Sequence, residues 1–240
     1  MKNIINMDTL SIFSTVINRK RSELYSVNTK KQISNWFKRN DKKYFIQVKK
    51  VSLNLLKDWF YKKGSIFHKN KKHFSVIGID IKTTKRENNK WSQPIIKGKK
   101  IAFAGFIIKK FNNQDHYLCR YILKPGLRKS VVSCTVNTSD LINYKTNNNL
   151  SNLQKSYMKR YFLDNKTNII YDNILSEEGG RFFRCQIRYM IVEIESNVLN
   201  KIPNNLIWLS HNQIIDLIKK KRLDIESRLL FACGNIDLIK

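Results

Sequence analysis

Two carboxylates, Glu177 and Glu178, stand directly before two glycines, Gly179 and Gly180, in the run S-E-E-G-G-R-F-F-R-C-Q-I-R-Y-M-I-V-E-I at residues 176–194. Glycines let a backbone approach a ligand closely, and acids held beside them can take or give protons. From Phe182 the side chains alternate as in a half-buried strand, with Phe183, Cys185, Ile187, Tyr189 and Ile191 on one face and Arg184, Gln186 and Arg188 on the other. An acid-bearing turn that launches a strand with guanidiniums on one face predicts a pocket for an anionic ligand with removable hydrogens. The plainer alternative is a glycine turn into an ordinary strand, its acids neutralised by nearby lysines.

The elements that must position this run are legible from period and punctuation. Thr29 to Gln32 and Ser151 to Gln154 have the spacing of capping boxes, as do Ser210 to Gln213, so helices are expected after each. A further amphipathic helix is expected over residues 52–62, burying Leu55, Leu56, Trp59 and Phe60 and ended by Gly64. Period-two runs predict strands at residues 73–81, 101–110 (with a bulge at Gly105), 116–124 and 131–138. Asp224 is placed to cap a last short helix closed by Gly234. Short connections and helices flanking a sheet core make the expected fold class α+β, without internal repeats. Residues 1–50 are expected to form an arm and a helix, and residues 51–240 one module.

With 240 residues, 42% of them hydrophobic and 11% aromatic, the chain can bury a core. A formal charge of +28 would ordinarily point to nucleic acid or an anionic membrane. Here the excess is mostly lysine, spread along the whole chain and accompanied by abundant Asn and Ile, a pattern that codon bias toward A and T would produce. Nucleic acid is therefore not the expected partner. Cys119, Cys134, Cys185 and Cys233 form no C-x-x-C pair, which argues against a zinc ribbon or a thioredoxin-like site and for a reduced, cytoplasmic protein. The longest apolar stretch is far short of the ~20 residues of a membrane span, and the first residues do not read as a signal peptide.

A series of motifs resembles the sugar-nucleotide (NDP-hexose) 2,3-dehydratases of deoxysugar biosynthesis, in particular the second of that family's two tandem repeats. Residues 64–68 with 74–76 resemble its I-x-H…F-F-x-V segment; Arg86-Glu87 and Trp91-Ser92-Gln93-Pro94 resemble R-E…W-x-Q-P. His116-Tyr117-Leu118 with Pro125-Gly126 resembles H-x-L…E-P-G, and Thr135-Val136 the core of P-T-V-Q. Residues 176–182 match S-E-E-G-G-R-F in full, and Trp208, Gln213 and Arg228-Leu229-Leu230 fit the closing W…Q…R-x-L-L pattern.

The resemblance implies a Nudix-like mixed sheet flanked by helices, without the Nudix metal-binding box, present here as a single module. It implies loss of water from dTDP-4-keto-6-deoxyglucose: a base removes the C3 proton, acidified by the C4 ketone, and an acid helps expel the C2 hydroxyl. The chemistry requires no cofactor. The candidate base is Glu177 or Glu178, and the candidate proton donor His116 or Tyr189. Arg181 or Arg188 would hold the diphosphate or enolate oxygen, with His68, Trp91 and Gln93 as further substrate-binding candidates. The implied partners are the dTDP-sugar, a second copy or a separately encoded first-repeat homologue, and a downstream ketoreductase. Two departures bear on turnover: Lys124 replaces the family's glutamate before the P-G turn, and Cys134-Thr135-Val136-Asn137 replaces P-T-V-Q. A non-catalytic sugar-nucleotide-binding or scaffolding subunit is the competing reading, and a basic nucleic-acid-binding module a distant third.

Overall fold

A computed structural model describes residues 25–70, 73–84, 88–98, 101–164 and 166–237, with side chains to 234. Helix α1 is Lys30–Lys43, opened by the Thr29 capping box, in which the Gln32 N–H donates to Thr29 Oγ1 and the Thr29 N–H to Gln32 Oε1. A single 3₁₀ turn, Leu53–Leu55, precedes an antiparallel meander of strands β1 (Trp59–Lys62), β2 (Ser65–His68), β3 (Ser75–Lys82) and β4 (Lys90–Lys97).

The helix expected over residues 52–62 is not formed. Lys63 and Gly64 both have positive φ, 52° and 70°, the backbone of a two-residue hairpin turn, so Gly64 closes a β1–β2 hairpin rather than a helix. The intended buried stripe is accordingly open, with Leu55 70% and Phe60 51% exposed.

The second sheet carries the core. Its strands are β5 (Ala102–Phe111), β6 (Gln114–Ile122), β7 (Val131–Ser133), β8 (Val136–Thr138), β9 (Asn168–Ser176), β10 (Gln186–Ile194) and β11 (Leu206–Ser210). The order is β11-β6-β5-β10-β9, with β7 paired to β6 and β8 to β5; β10 runs parallel to β5 and antiparallel to β9. Helices α2 (Asn152–Tyr157, continuing into a π-turn at Met158–Phe162), α3 (His211–Lys219) and α4 (Ile225–Asp237) complete the fold.

Central β5 is buried on both faces because helices cover both. Ala104, Phe106 and Ile108 pack with Trp36, Phe37, Ile214 and Leu230 from α1, α3 and α4; Phe103 and Ile107 pack with Met158, Tyr161 and Phe162 on the other side. Each such fully buried large apolar side chain contributes roughly 1.5–3 kcal/mol against conformational entropy. The α+β class expected from the sequence is thus the observed one. No helix among the described residues is long and apolar enough to cross a membrane.

Three local expectations are corrected. Gly105 is not a bulge: a Cβ there would lie 2.5 Å from the Phe162 ring, so glycine admits the π-turn's aromatic, and the register shift falls on β10 between Ile191 and Val192. The strand expected over residues 131–138 is broken into β7 and β8 on different partners, because Thr135 turns inward to donate to the Leu118 carbonyl and accept from the Ile107 N–H. Gly234 lies inside α4 rather than after it, where an added Cβ would clash with Ile191 Cδ1.

Candidate active site

The chain begins β10 only at Gln186, later than the alternation suggests, because Arg184 takes a left-handed φ of 52° and interrupts the pleat. Between β9 and β10 the acid-glycine run forms a compact turn: the Glu177 N–H donates to the Cys185 carbonyl at 2.9 Å, and the Phe182 N–H to the Glu178 carbonyl at 3.0 Å. Strand β4 clamps this turn from outside. The Ile96 N–H donates to the Arg181 carbonyl at 2.9 Å and the Phe183 N–H returns to the Ile96 carbonyl at 2.8 Å. Trp91 Nε1 donates to Gln93 Oε1 at 2.8 Å, and Gln93 Nε2 to the Gly180 carbonyl at 2.9 Å.

Inside the turn lies a cleft of about 790 Å³, within the size range of small-molecule sites. Glu177 lines it, with Lys124 just past the end of β6, Glu226 on the first turn of α4, Arg120 on β6 and Asn137 on β8. Burial raises the pKa of Glu177, and the neighbouring Glu226 carboxylate raises it further. Such a carboxylate is a stronger base than a free one. The Lys124 Nζ stands 3.2 Å from Glu226 and 3.4 Å from Asp224. Burial pulls Lys124 down, but these two carboxylates outweigh it and its pKa is raised, so it remains a cation beside Glu177. Arg120 donates through Nη2 to Asn137 Oδ1 at 2.5 Å, while its buried Nε has no hydrogen-bond partner among the described residues.

Of the nine residues singled out from sequence, Glu177 alone lines the cleft. Glu178 and Arg181 form an ion pair with each other on the outside of the turn, both exposed. Arg188 pairs through two nitrogens with Asp172 on neighbouring β9, at 2.8 and 2.6 Å. Tyr189 is buried in the core; burial, followed by the charge of Glu177, raises its pKa. His116 sits six residues up β6 from Ile122, roughly 20 Å along the strand. There it is fully buried, with Nδ1 2.9 Å from the Gln114 carbonyl and Nε2 accepting from the Val27 N–H at 3.2 Å. His68 bonds to Asn70 on the β1–β4 meander and stacks edge-on against Trp59. Trp91 and Gln93 act on the turn from behind. Arg86 and Glu87 lie outside the described residues.

The cleft residues missed from sequence left traces. Arg120 is a guanidinium inside the otherwise apolar stretch Y-L-C-R-Y-I-L, and Lys124 stands out only as a departure from the family pattern.

A family model described as NDP-hexose 2,3-dehydratase matches residues 30–233. A dTDP-4-dehydro-6-deoxy-alpha-D-glucopyranose 2,3-dehydratase of Saccharopolyspora spinosa is 24% identical over 252 residues, covering 96% of this chain and 51% of the relative. One from Amycolatopsis orientalis is 25% identical, covering 85% of this chain and 43% of the relative. The chain spans about half the length of the curated relatives it matches. Among solved structures it is similar to an Ap4A hydrolase of C. elegans, at 10% identity and a TM-score of 0.37, covering 61% of this chain and 99% of that one. It is also similar to the M. smegmatis Nudix hydrolase RenU, at 12% identity and a TM-score of 0.34, covering 56% and 83%. Likeness at that level is too low to bear on the site. The sequence match, extending from α1 into α4, is different in kind: the chain belongs to the NDP-hexose 2,3-dehydratase family.

Proposed function

We propose that the chain eliminates water from a dTDP-4-keto-6-deoxyglucose, as one of two modules, the other being a second copy or a separately encoded first-repeat homologue. The observation that carries this reading is that one cleft of a family member is lined by both the Glu177 carboxylate and the Lys124 ammonium. Glu177 takes the C3 proton, whose electron pair moves into the C4 carbonyl. The Lys124 ammonium balances the enolate oxygen that forms, an interaction stronger in the transition state than in the ground state. The enolate then reforms the ketone and expels the C2 oxygen, which leaves as water with the proton now held by Glu177. The resulting enol becomes a 3,4-diketo sugar. Arg120, which lines the same cleft and is held by Asn137, takes the diphosphate in this reading.

A 3,4-diketo product must be consumed by a ketoreductase, because vicinal diketones are reactive; the cytoplasm is where both would act. The same reactivity supplies the test. Incubation with the keto-sugar nucleotide and o-phenylenediamine is expected to give a quinoxaline, visible by mass spectrometry. Retention of the nucleotide sugar without a quinoxaline would instead favour a binding or scaffolding subunit.

A further inference from the structure

A second cavity, of about 540 Å³, shares no lining residue with the cleft. It runs between α1 and α3, whose facing stripes supply an apolar floor of Ile33, Phe37 and Leu217. Five cations line it, Lys30, Lys38, Lys129, Lys220 and Arg222, against two acids, Asp41 and Asp216. The guanidinium of Arg222 is fixed in place: it stacks on the Phe37 ring 3.9 Å from the centroid and donates through Nη2 to Ser130 Oγ at 3.0 Å. Asp41 is already engaged, its Oδ1 accepting from the Ser130 hydroxyl at 2.6 Å and the Tyr121 hydroxyl at 2.7 Å. Arg222 Nε is left buried without a hydrogen-bond partner among the described residues.

A buried donor left unmatched carries its full desolvation penalty, so its retention on a residue that lines a cationic groove calls for an acceptor. A pre-oriented guanidinium with flanking ammonium groups suits phosphoryl oxygens, which accept from a planar fork and carry more than one charge. We propose that the groove between α1 and α3 is a second anion site that binds a phosphoryl-bearing small molecule at Arg222, independently of the substrate cleft.

The test is a titration of the full chain with inorganic pyrophosphate at ~150 mM salt, where exposed charges are screened beyond about 8 Å. The arginine Nε–H resonances are followed by ¹H–¹⁵N NMR, with that of Arg222 assigned from Arg222→Lys. The expected result is a saturable shift of the Arg222 resonance, unchanged in Glu177→Gln. In Lys38→Gln/Lys129→Gln, which leaves the Arg222–Phe37 stack intact, it should be at least about tenfold weaker. An unmoved Arg222 resonance, a shift that grows without saturating, or undiminished affinity in the double variant would each overturn the proposal. So would saturation confined to the Arg120 resonance, since that would place the anion in the substrate cleft alone.

Discussion

The Nζ of Lys124 lies 3.2 Å from Glu226 Oε2, which fastens the lip of the cleft at the end of β6 to the first turn of α4. The same ammonium reaches Asp224 at 3.4 Å, and Asp224 in turn caps α4 by accepting from the Ser227 N–H at 3.1 Å. The residue that departs from the family pattern therefore has two partners supplied by this chain. Its replacement should be legible in the titration of Glu177. Lys124 lowers the pKa of Glu177, whereas Glu226 raises it. In Lys124→Met the acid limb of the pH–rate profile should move to higher pH, with kcat falling as the enolate loses its cation. An unmoved acid limb would separate Lys124 from Glu177.

Glu177→Gln should lower turnover by about 10²–10⁴-fold, the usual contribution of a positioned base. It should also stabilise the protein above the raised pKa, because the folded state disfavours the ionised carboxylate there. As pH falls through that pKa the wild type becomes protonated and the difference should close. Thermal unfolding of the two proteins across pH 4–8 is the measurement; a constant offset would show that Glu177 is not strained by burial.

His116 behaves as a structural imidazole in this fold. Burial lowers its pKa, so the folded state resists its protonation and the unfolded state does not. Stability is then full above the ordinary imidazole value of about 6.5 and declines as pH falls toward the depressed folded value. His116→Gln should flatten this acid-side decline and leave turnover at neutral pH within a few-fold of wild type. A collapse of kcat with unchanged stability would return His116 to the chemistry.

Gly105→Ala should destabilise by about 1–3 kcal/mol, since the added methyl would lie 2.5 Å from the Phe162 ring and 2.7 Å from the Phe103 ring, neither free to retreat. Denaturant unfolding would register this as a lower midpoint at constant m-value. A neutral outcome would mean that the π-turn yields without cost.

Much of the scaffold could be read from short-range chemistry. Thr29 with Gln32 and Ser151 with Gln154 close the boxes that their spacing implies, and the alternation in residues 73–81 becomes β3. What failed was decided at longer range. Residues 52–62 carry a helical stripe, yet Lys63 and Gly64 accept positive φ and Trp59–Lys62 gains a partner strand, which outweighs the weak local preference. Glu177 stood out in the sequence because a glycine turn marks it, and the fold brings it to the cleft. Arg120 and Glu226 were not, since the register of β6 against β7 and the docking of α4 bring them to the cleft, and no local spacing encodes either. Arg188 looked like a ligand group because a strand pattern shows its face but not Asp172 waiting on the neighbouring strand.

The account stands on proton removal at C3 by Glu177. Its most direct test is ¹H NMR of dTDP-4-keto-6-deoxyglucose incubated with the chain in D₂O. The predicted result is loss of the C3 proton signal with deuterium appearing at C2 of the product, and neither change with Glu177→Gln. Intact C3 and C2 signals in the presence of wild-type protein that demonstrably binds the nucleotide sugar would contradict it.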